Sequence, residues 1–455
     1  MGEESKTGLK RVLGFWHVFG ACFGLVVCST TLWIVSLGYA VTGSSFIVSQ
    51  LIALFLMILT ALSMSELGTT WPKAGSFGVY VKEALGHEAG MWIALMYFLM
   101  FFPLAVEASI IGEIANMFIP TISVEAWAIF FATIMLIINL LGIAIVGWAA
   151  LLMTIYMIGT MVVFAIAGIG GLGAIPFDYT RLTGLVGEAL DMSMVLAMAM
   201  LSFWLYVGFE VPAPLAEETK RPERVIPLAS ISALFVIFAV QALFGFAVLG
   251  LLPFEDLVAT AEGTLLTPHV AFGFAAFGPA GGAIIATVSI IATLSTFNTV
   301  MAGSSRLLWS LGWEGYLPKV GWLHPRFRTP WIPLIMEYIV IVLFILWLRP
   351  YAELMVLVDT FFFLVIYLML HVSVIVLRHK RPDIKRPFSV GGPWKLPIVP
   401  IIGIIGMLIT MYYQFFDPIV GNIEVLYYGG AAALIALIFS VIVCRTYAKD
   451  KLTPS

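Results

Sequence analysis

The sequence predicts an all-α integral membrane protein with twelve membrane-spanning helices, the first ten of which form two halves of five. Three observations predict this fold. Hydrophobic residues make up 61% of the 455 residues and charged residues only 11%, with a mean hydropathy of +1.05, whereas charged residues make up about 25% of an average soluble domain. Apolar stretches of the roughly 20 residues that a helix needs to cross a bilayer recur along the chain. Two of these stretches, at matching positions of the two halves, are interrupted by residues that a lipid-exposed helix does not tolerate.

The twelve apolar stretches are called spans 1 to 12 in chain order. They lie at about 14–41, 45–67, 91–118, 125–145, 147–172, 190–216, 226–252, 276–311, 330–348, 353–378, 396–416 and 424–445. The longest segments between them, about 68–90 and 253–275, have the size of loops. We therefore expect one membrane transport domain over residues 1–455, with repeat one at about 14–172, repeat two at about 190–378 and additional helices at about 396–445.

The distribution of Lys and Arg predicts the orientation. If both termini are cytoplasmic, the external loops hold only Arg181 and Arg349 of the 23 basic residues, and the other 21 lie on the internal side. This asymmetry is what the positive-inside rule describes. We expect a multi-pass protein of the cell membrane with both termini in the cytoplasm.

Spans 1 and 6 carry the predicted interruptions. Span 1 contains the small polar run Cys28-Ser29-Thr30-Thr31, and span 6 contains glycine, glutamate and two prolines within residues 208–214. A helix broken at membrane depth is tolerated where it lines a cavity, and breaks at equivalent positions of two repeats are typical of a transport site. The alternative for span 1 is that its hydroxyls bond back to the preceding turn of an unbroken helix.

Several function classes lack support in the sequence. There is no Ser-His-Asp arrangement, no phosphate loop and no Cys/His cluster with metal-ligand spacing, so we expect no enzyme activity, no metal site and no cofactor. A net charge of −3 argues against nucleic acid as a partner, and the basic clusters are interpreted as topology determinants, with anionic lipid as the alternative partner. The three cysteines lie within predicted spans, so no disulfide-linked external subunit is expected.

Four stretches resemble the amino acid–polyamine–organocation (APC) superfamily of transporters. They are Ser63–Gly86, Gly208–Ala229, Ala302–Pro330 and Leu377–Gly392, and they occur in the order found in that superfamily. The resemblance implies the LeuT-like fold, a 5+5 inverted repeat with discontinuous helices 1 and 6. It also implies a secondary transporter of small amino-containing solutes working by alternating access, as a symporter or an exchanger. Amino acids are the expected substrates, and the alternative is an amine or polyamine permease of the ethanolamine type.

The resemblance also implies where the substrate binds. In related transporters an unwound helix 1, often Gly-Ser-Gly, offers backbone amides to a substrate carboxylate, and Cys28, Ser29 and Thr30 match it without either glycine. Because a Cβ makes unwinding costlier and leaves less room, amines or ω-amino acids become credible substrates. Trp204 matches an aromatic residue that covers the substrate, and cation–π contact would suit an ammonium group; the alternative is a packing role. The expected substrate-binding residues are Cys28, Ser29, Thr30, Thr31, Trp204, Leu205, Tyr206, Val207, Gly208 and Phe209.

Carboxylates inside the spans are the next candidates, since an ionisable residue there costs roughly 2.5–3.5 kcal/mol on insertion scales. Glu107 in span 3 and Glu210 at the break of span 6 are candidates for proton coupling or gating. Three others, Glu113, Glu337 and Asp359, lie nearer the ends of their spans and are interpreted as structural. Glu217 and Glu218 are expected to pair with the basic loop that follows them.

The coupling ion is left open between Na⁺ and H⁺. Several relatives place a lysine in helix 5 where a sodium ion binds in others, and this chain has Met157 or Ile158 at that position. A sodium site is therefore a hypothesis, with hydroxyls of span 8 as ligands, although such hydroxyls are common at helix interfaces. The hydroxyls are those of Ser295, Thr296 and Thr299. Sodium symport, proton coupling through Glu210 and uncoupled exchange are the alternatives, and a solute sensor or a channel is the alternative of a different class.

Overall fold

The structure is a computed structural model that describes residues 3–4, 8–99, 102–185, 191–265, 267–347, 352–391, 397–418 and 420–447. Positions 190, 348, 392 and 396, which bound predicted segments, and Arg349 lie outside these ranges. Helices dominate the described residues, and a two-residue antiparallel pair (β1, Glu3–Glu4; β2, Lys10–Arg11) precedes them. The helices are α1 (Phe15–Val26), α2 (Ser29–Thr42), α3 (Phe46–Thr70), α4 (Ser76–Leu85), α5 (His87–Phe98), α6 (Leu104–Phe118), α7 (Val124–Leu140), α8 (Ile143–Ile169), α9 (Met192–Trp204), α10 (Pro222–Leu251), α11 (Phe254–Ala261), α12 (Pro268–Trp313), α13 (Trp331–Trp347), α14 (Ala352–Lys380), α15 (Ile398–Phe416) and α16 (Ile423–Tyr447).

The predicted all-α class is confirmed by this architecture. Seven helical stretches of the described residues are long and apolar enough to cross a membrane, and α1, α7, α9 and α13 are shorter apolar helices. Two of the short ones, α1 and α9, are short because the chain leaves helical geometry at their carboxyl ends. The interruptions predicted in spans 1 and 6 are therefore present in the structure.

Span 3 was predicted as one helix over 91–118, and this was wrong. The chain leaves α5 at Phe98 and starts α6 at Leu104, and tight turns join Phe102 N to the Leu99 carbonyl and Ala105 N to the Phe102 carbonyl. Pro103 explains the break, because proline has no N–H and disfavours helical geometry in the residue before it. Glu107 consequently lies in the first turn of a helix and not in the middle of one.

The two segments predicted as loops also contain helices. The segment 68–90 holds α4 and the start of α5, and the segment 253–275 holds α11 and the first turns of α12, which bends at Gly278. These helices are short or partly polar, so they carry no spanning signal in the sequence.

Helices α10 and α12 each pack against both α1 and α2. Helix α1 packs against α8, α10 and α12, and α10 packs against α3. The outer surface is apolar, with exposed Leu152, Ile155 and Val163 on α8 and Ile435 on α16. Because lipid tails are as apolar as these side chains, the central helices associate through close packing. At Gly24 of α1 a Cβ would lie 2.0 Å from the Ser295 hydroxyl oxygen of α12.

Candidate functional site

The break in span 1 exposes the amino end of α2. Val27 and Cys28 have extended backbone between α1 and α2, and Cys28 precedes the first helical residue. The first N–H groups of a helix have no partner within it, so they are available to an acceptor from elsewhere.

That acceptor is the carboxylate of Glu107. Ser29 N donates to Glu107 Oε2 at 3.2 Å and Thr30 N donates to Oε1 at 3.3 Å. The hydroxyls of Thr30 and Thr293 also donate to this carboxylate, the latter at 3.0 Å. Glu107 is 2% exposed. A negative group is favourable at the positive end of a helix, so a side chain of α6 holds the position that the resemblance gives to a substrate carboxylate.

Hydroxyls extend this network towards α12. Ser29 Oγ lies 2.7 Å from Ser289 Oγ and 2.9 Å from Thr293 Oγ1. Ser289 Oγ in turn lies 3.0 Å from His269 Nε2. Ser29 and Thr30 therefore bind other helices. The Cys28 thiol instead lies 3.1 Å from the hydroxyls of Thr30 and Thr31, and Thr31 Oγ1 donates to the Val26 carbonyl at 2.7 Å, which bridges the break.

The break in span 6 is a series of tight turns. After α9 ends at Trp204, most backbone hydrogen bonds from Leu205 onward reach three residues back, up to a short 3₁₀ turn at Ala216–Glu218. Gly208 has φ = 118°, a left-handed value that favours glycine. The Leu205 and Phe209 carbonyls accept from Gln241 Nε2 at 3.2 Å and from the Cys22 thiol at 3.4 Å. Protein donors thus occupy the carbonyls of two residues that were expected to bind the substrate.

Glu210 is fully buried beside this break. Gly208 N donates to its Oε2 at 2.8 Å, Tyr367 donates to the same atom at 2.7 Å, and Tyr97 donates to Oε1 at 3.4 Å. The Tyr206 hydroxyl points elsewhere and donates to the Gln50 carbonyl at 3.1 Å. Glu210 therefore joins the span 6 break to α5 and α14.

A small cavity, with about 30 Å³ of space for the centres of water-sized spheres, lies between the two breaks. Five of the expected functional residues line it, and the other expected residues lie outside its lining. Trp204 Nε1 donates to Thr30 Oγ1 at 3.3 Å, which links the lining to the amino end of α2. The lining residues are Leu25, Val26, Cys28, Pro103, Leu104, Glu107, Trp204, Val207, Thr296, Val300, Asp359 and Phe363.

Asp359 was missed as a site residue. It was interpreted as structural and close to water, but it is 4% exposed and lines the cavity from α14. The signal in the sequence was an aspartate within the apolar stretch 354–377. Glu337, which was interpreted in the same way, is fully buried on α13 and accepts from Ser304 Oγ at 2.8 Å.

The hydroxyls proposed for a sodium ion lie beside α1 but differ in their partners. Thr296 Oγ1 donates to the Gly24 and Leu25 carbonyls, each at 3.1 Å. The buried hydroxyls of Ser295 and Thr299 have no hydrogen-bond partner among the described residues. Among all residues that the structure describes, no group of three His, Cys, Asp or Glu side chains is placed to hold a metal ion.

Ion pairs connect the four stretches that carry the resemblance. Glu218 pairs with Arg306 at 2.9 Å, both fully buried, so its expected pairing with the following loop was wrong; Glu217 accepts from Ala74 N at 3.1 Å. Further pairs among the described residues join other stretches, two of them short. These two are Arg378–Glu66 at 2.6 Å and Lys82–Glu314 at 2.5 Å.

Comparisons with known proteins agree with this geometry. The profile of a family described as "Amino acid permease" matches residues 13–444. The serine/threonine exchanger SteT of Bacillus subtilis (strain 168) is 24% identical over 89% of this chain and 91% of that protein. From the same organism, the gamma-aminobutyric acid permease is 24% identical over 90% of both chains, and the branched-chain amino acid permease BcaP is 23% identical over 89% and 87%. A solved Na⁺-coupled sialic acid symporter, substrate-bound and outward-open, matches with a TM-score of 0.57 and 12% identity over 90% of this chain and 91% of that one.

Proposed function

Because the chain belongs to the amino acid permease family, we propose that it moves small amino-containing solutes, foremost amino acids, across a membrane by alternating access. It is a multi-pass membrane transporter and not an enzyme, as are the permeases it resembles. The finer points, from the site to the coupling ion, are proposals.

One observation carries the assignment of the site. Two helical stretches are interrupted next to the same buried cavity, and Cys28 from one break and Trp204 and Val207 from the other line it. Irregular backbone at membrane depth is tolerated where it lines a cavity, and transporters hold substrates in such places. We propose this cavity as the substrate site, with the remaining expected residues of the two breaks supporting its walls.

The architecture that we propose keeps twelve spans in a single transport domain over residues 1–455. The first ten spans form the 5+5 inverted repeat, and α15 and α16 are additional. The similarity to the sialic acid symporter supports a fold of this class. Broken spans 1 and 6 occupy equivalent places in the two proposed repeats.

For localisation we propose the cell membrane with both termini in the cytoplasm. Arg181 is the one basic residue of the proposed external loops that the structure describes. A fluorescent reporter that folds only in the cytoplasm should fluoresce when fused to the C-terminus and stay dark when inserted after Glu262. The reverse pattern would contradict this orientation.

Coupling is proposed to use one of two sets of residues. Glu210 and Glu107 are buried carboxylates that can take a proton, and the hydroxyls of Ser295, Thr296 and Thr299 can contribute to a sodium site beside α1. Uptake measured under separately imposed sodium and pH gradients distinguishes them. Equal uptake under both gradients, with solute exchange intact, would indicate uncoupled exchange.

Transport itself is tested with the purified chain in proteoliposomes. We expect uptake or exchange of at least one member of a panel of labelled neutral, acidic and basic amino acids. Val207→Trp should abolish this flux because the indole fills the cavity, whereas Val163→Trp on the outer face of α8 should leave it unchanged. Absence of uptake and exchange for the whole panel and for simple amines would refute the proposal.

A further inference from the structure

The cavity between the two breaks is lined by acidic side chains and by no basic one. Two carboxylates, Glu107 and Asp359, line it, and the other lining residues include no Lys, Arg or His. Both carboxylates are at least 95% buried. Buried charges are normally paired, because an isolated carboxylate loses the hydration that water would supply. The arrangement therefore fits a positively charged group between them.

The two carboxylates differ in what they already bind. Both oxygens of Glu107 accept hydrogen bonds from α2 and α12. Asp359 Oδ1 has no hydrogen-bond partner among the described residues. Asp359 is thus the carboxylate with spare capacity to accept from a ligand.

The amino end of α2 argues against a carboxylate as the dominant group of the ligand. Its N–H groups at Ser29 and Thr30 are taken by Glu107, so an incoming carboxylate would find these donors occupied and a like charge beside them. Trp204 and Phe363, by contrast, present aromatic rings to the cavity. Aromatic faces attract cations, so the rings and the carboxylates favour the same kind of group.

We propose that Asp359 binds an ammonium group of the substrate and that the cavity selects solutes with net positive charge. This inference rests on the proposed transport function and names its substrate class. The positive solute is either an amine without a carboxylate or an amino acid with a basic side chain. Asp359 is then the residue that determines charge specificity, and Glu107 holds the amino end of α2.

Three solutes of similar length distinguish an amine substrate from a basic amino acid substrate. Lysine carries one net positive charge at pH 7, cadaverine is the same skeleton without the carboxylate, and norleucine has the four side-chain carbons of lysine without the terminal ammonium. In proteoliposomes we expect uptake of lysine or cadaverine to exceed that of norleucine by at least about tenfold, a difference of about 1.4 kcal/mol. Preference for cadaverine identifies an amine transporter and preference for lysine a transporter of basic amino acids.

The role of Asp359 is tested by the ratio of cation to norleucine uptake within one protein preparation, which a lower folded fraction cannot change. Asp359→Asn should reduce this ratio at least about tenfold, and Asp359→Glu, which keeps the charge, should preserve the cation preference. The matched control is Glu337→Gln, which neutralises another buried carboxylate outside the cavity lining and should leave the ratio unchanged.

Two results would contradict the inference about Asp359 and leave the proposed transport function intact. One is uptake of norleucine equal to or above that of both cations in the unmodified protein. The other is an unchanged ratio in Asp359→Asn. If that variant carries no solute at all, the comparison in the unmodified protein decides. Absence of flux for every solute refutes transport together with this inference.

Discussion

At the scale of single residues, Trp204 connects the two breaks. It ends α9, lines the cavity, and donates through its indole N–H to Thr30 Oγ1 at 3.3 Å. Thr30 itself donates to Glu107. Removal of the indole therefore affects both the aromatic wall of the cavity and the hydrogen bonds at the amino end of α2.

We expect Trp204→Ala to weaken substrate binding about tenfold, since an aromatic face contributes about 0.5–2 kcal/mol to a cation. Trp204→Phe keeps a ring and should lose less. The measurement is the rise in thermal midpoint on adding a transported solute, because a ligand that binds the folded state stabilises it. Trp148→Phe, on the exposed side of α8, is the control. Ligand stabilisation in Trp204→Ala equal to that of the unmodified protein would exclude Trp204 from the site.

The sequence predicted some of the residues that line the cavity and not Asp359, for a physical reason. Glu107 was identified because an ionisable residue inside an apolar span is expensive, but its partners on α2 and α12 depend on tertiary packing. Asp359 was dismissed because it lies near the start of span 10. Distance along the chain is a poor measure of depth here, since neighbouring helices bury Asp359 within the first turns of α14.

At the scale of elements, the turn after α9 depends on Gly208. Its φ is 118°, and a Cβ built there would lie 2.3 Å from Leu25 Cδ2 of α1. The backbone conformation thus requires glycine, and a Cβ would in addition displace the Leu25 side chain. The next turn is held by Glu210, which accepts from Gly208 N at 2.8 Å.

Gly208→Ala should destabilise the protein by about 1–3 kcal/mol, the cost of a side chain in a sparsely populated backbone region. The readout is the temperature at which the protein disappears from the folded peak in size-exclusion chromatography after heating. Gly159→Ala is the matched control, because a Cβ at that position on α8 meets nothing within 4 Å. Equal midpoints for the two variants would show that the turn tolerates a side chain.

The sequence indicated two of the three interruptions. Spans 1 and 6 carry clusters of small polar residues, glycine or proline, which are a strong signal against an unbroken helix. Span 3 carries a single proline, Pro103, and a lone proline is tolerated within many membrane helices. Whether it bends or ends the helix depends on neighbouring packing, which one sequence does not provide.

At the scale of the whole molecule, buried ion pairs join segments that lie far apart in the chain. Arg306 of α12 pairs with Glu218, and Arg378 of α14 pairs with Glu66 of α3. All four residues belong to the stretches on which the resemblance to the APC superfamily rests. Those stretches are thus related in space, and they hold together helices from both proposed repeats.

Arg306→Met should lower stability by about 3–5 kcal/mol, because it leaves the Glu218 carboxylate buried without its partner. Adding Glu218→Gln should recover part of the loss by removing the unpaired charge. Thermal midpoints in one detergent provide the comparison, with Lys319→Met at an exposed position as the control. If Arg306→Met has the same thermal midpoint as Lys319→Met, the Arg306–Glu218 pair does not stabilise the fold.

The global class was the most predictable property, and the relative placement of its parts the least. Composition and the length of apolar stretches are enough to predict a multi-pass all-α protein, because the bilayer imposes both. The helices at 76–85 and 254–261 are too short to cross a bilayer, so the constraint on spanning helices leaves no signal for them in the sequence.

The bonds that Ser29 makes have a consequence for the transport cycle. They tie α2 to α6 through Glu107 and to α12 through Ser289 and Thr293. Any movement of α2 relative to α6 and α12 during alternating access has to break these hydrogen bonds together. The transport rate should then rise steeply with temperature. A substrate that binds the same oxygens would help to break these hydrogen bonds.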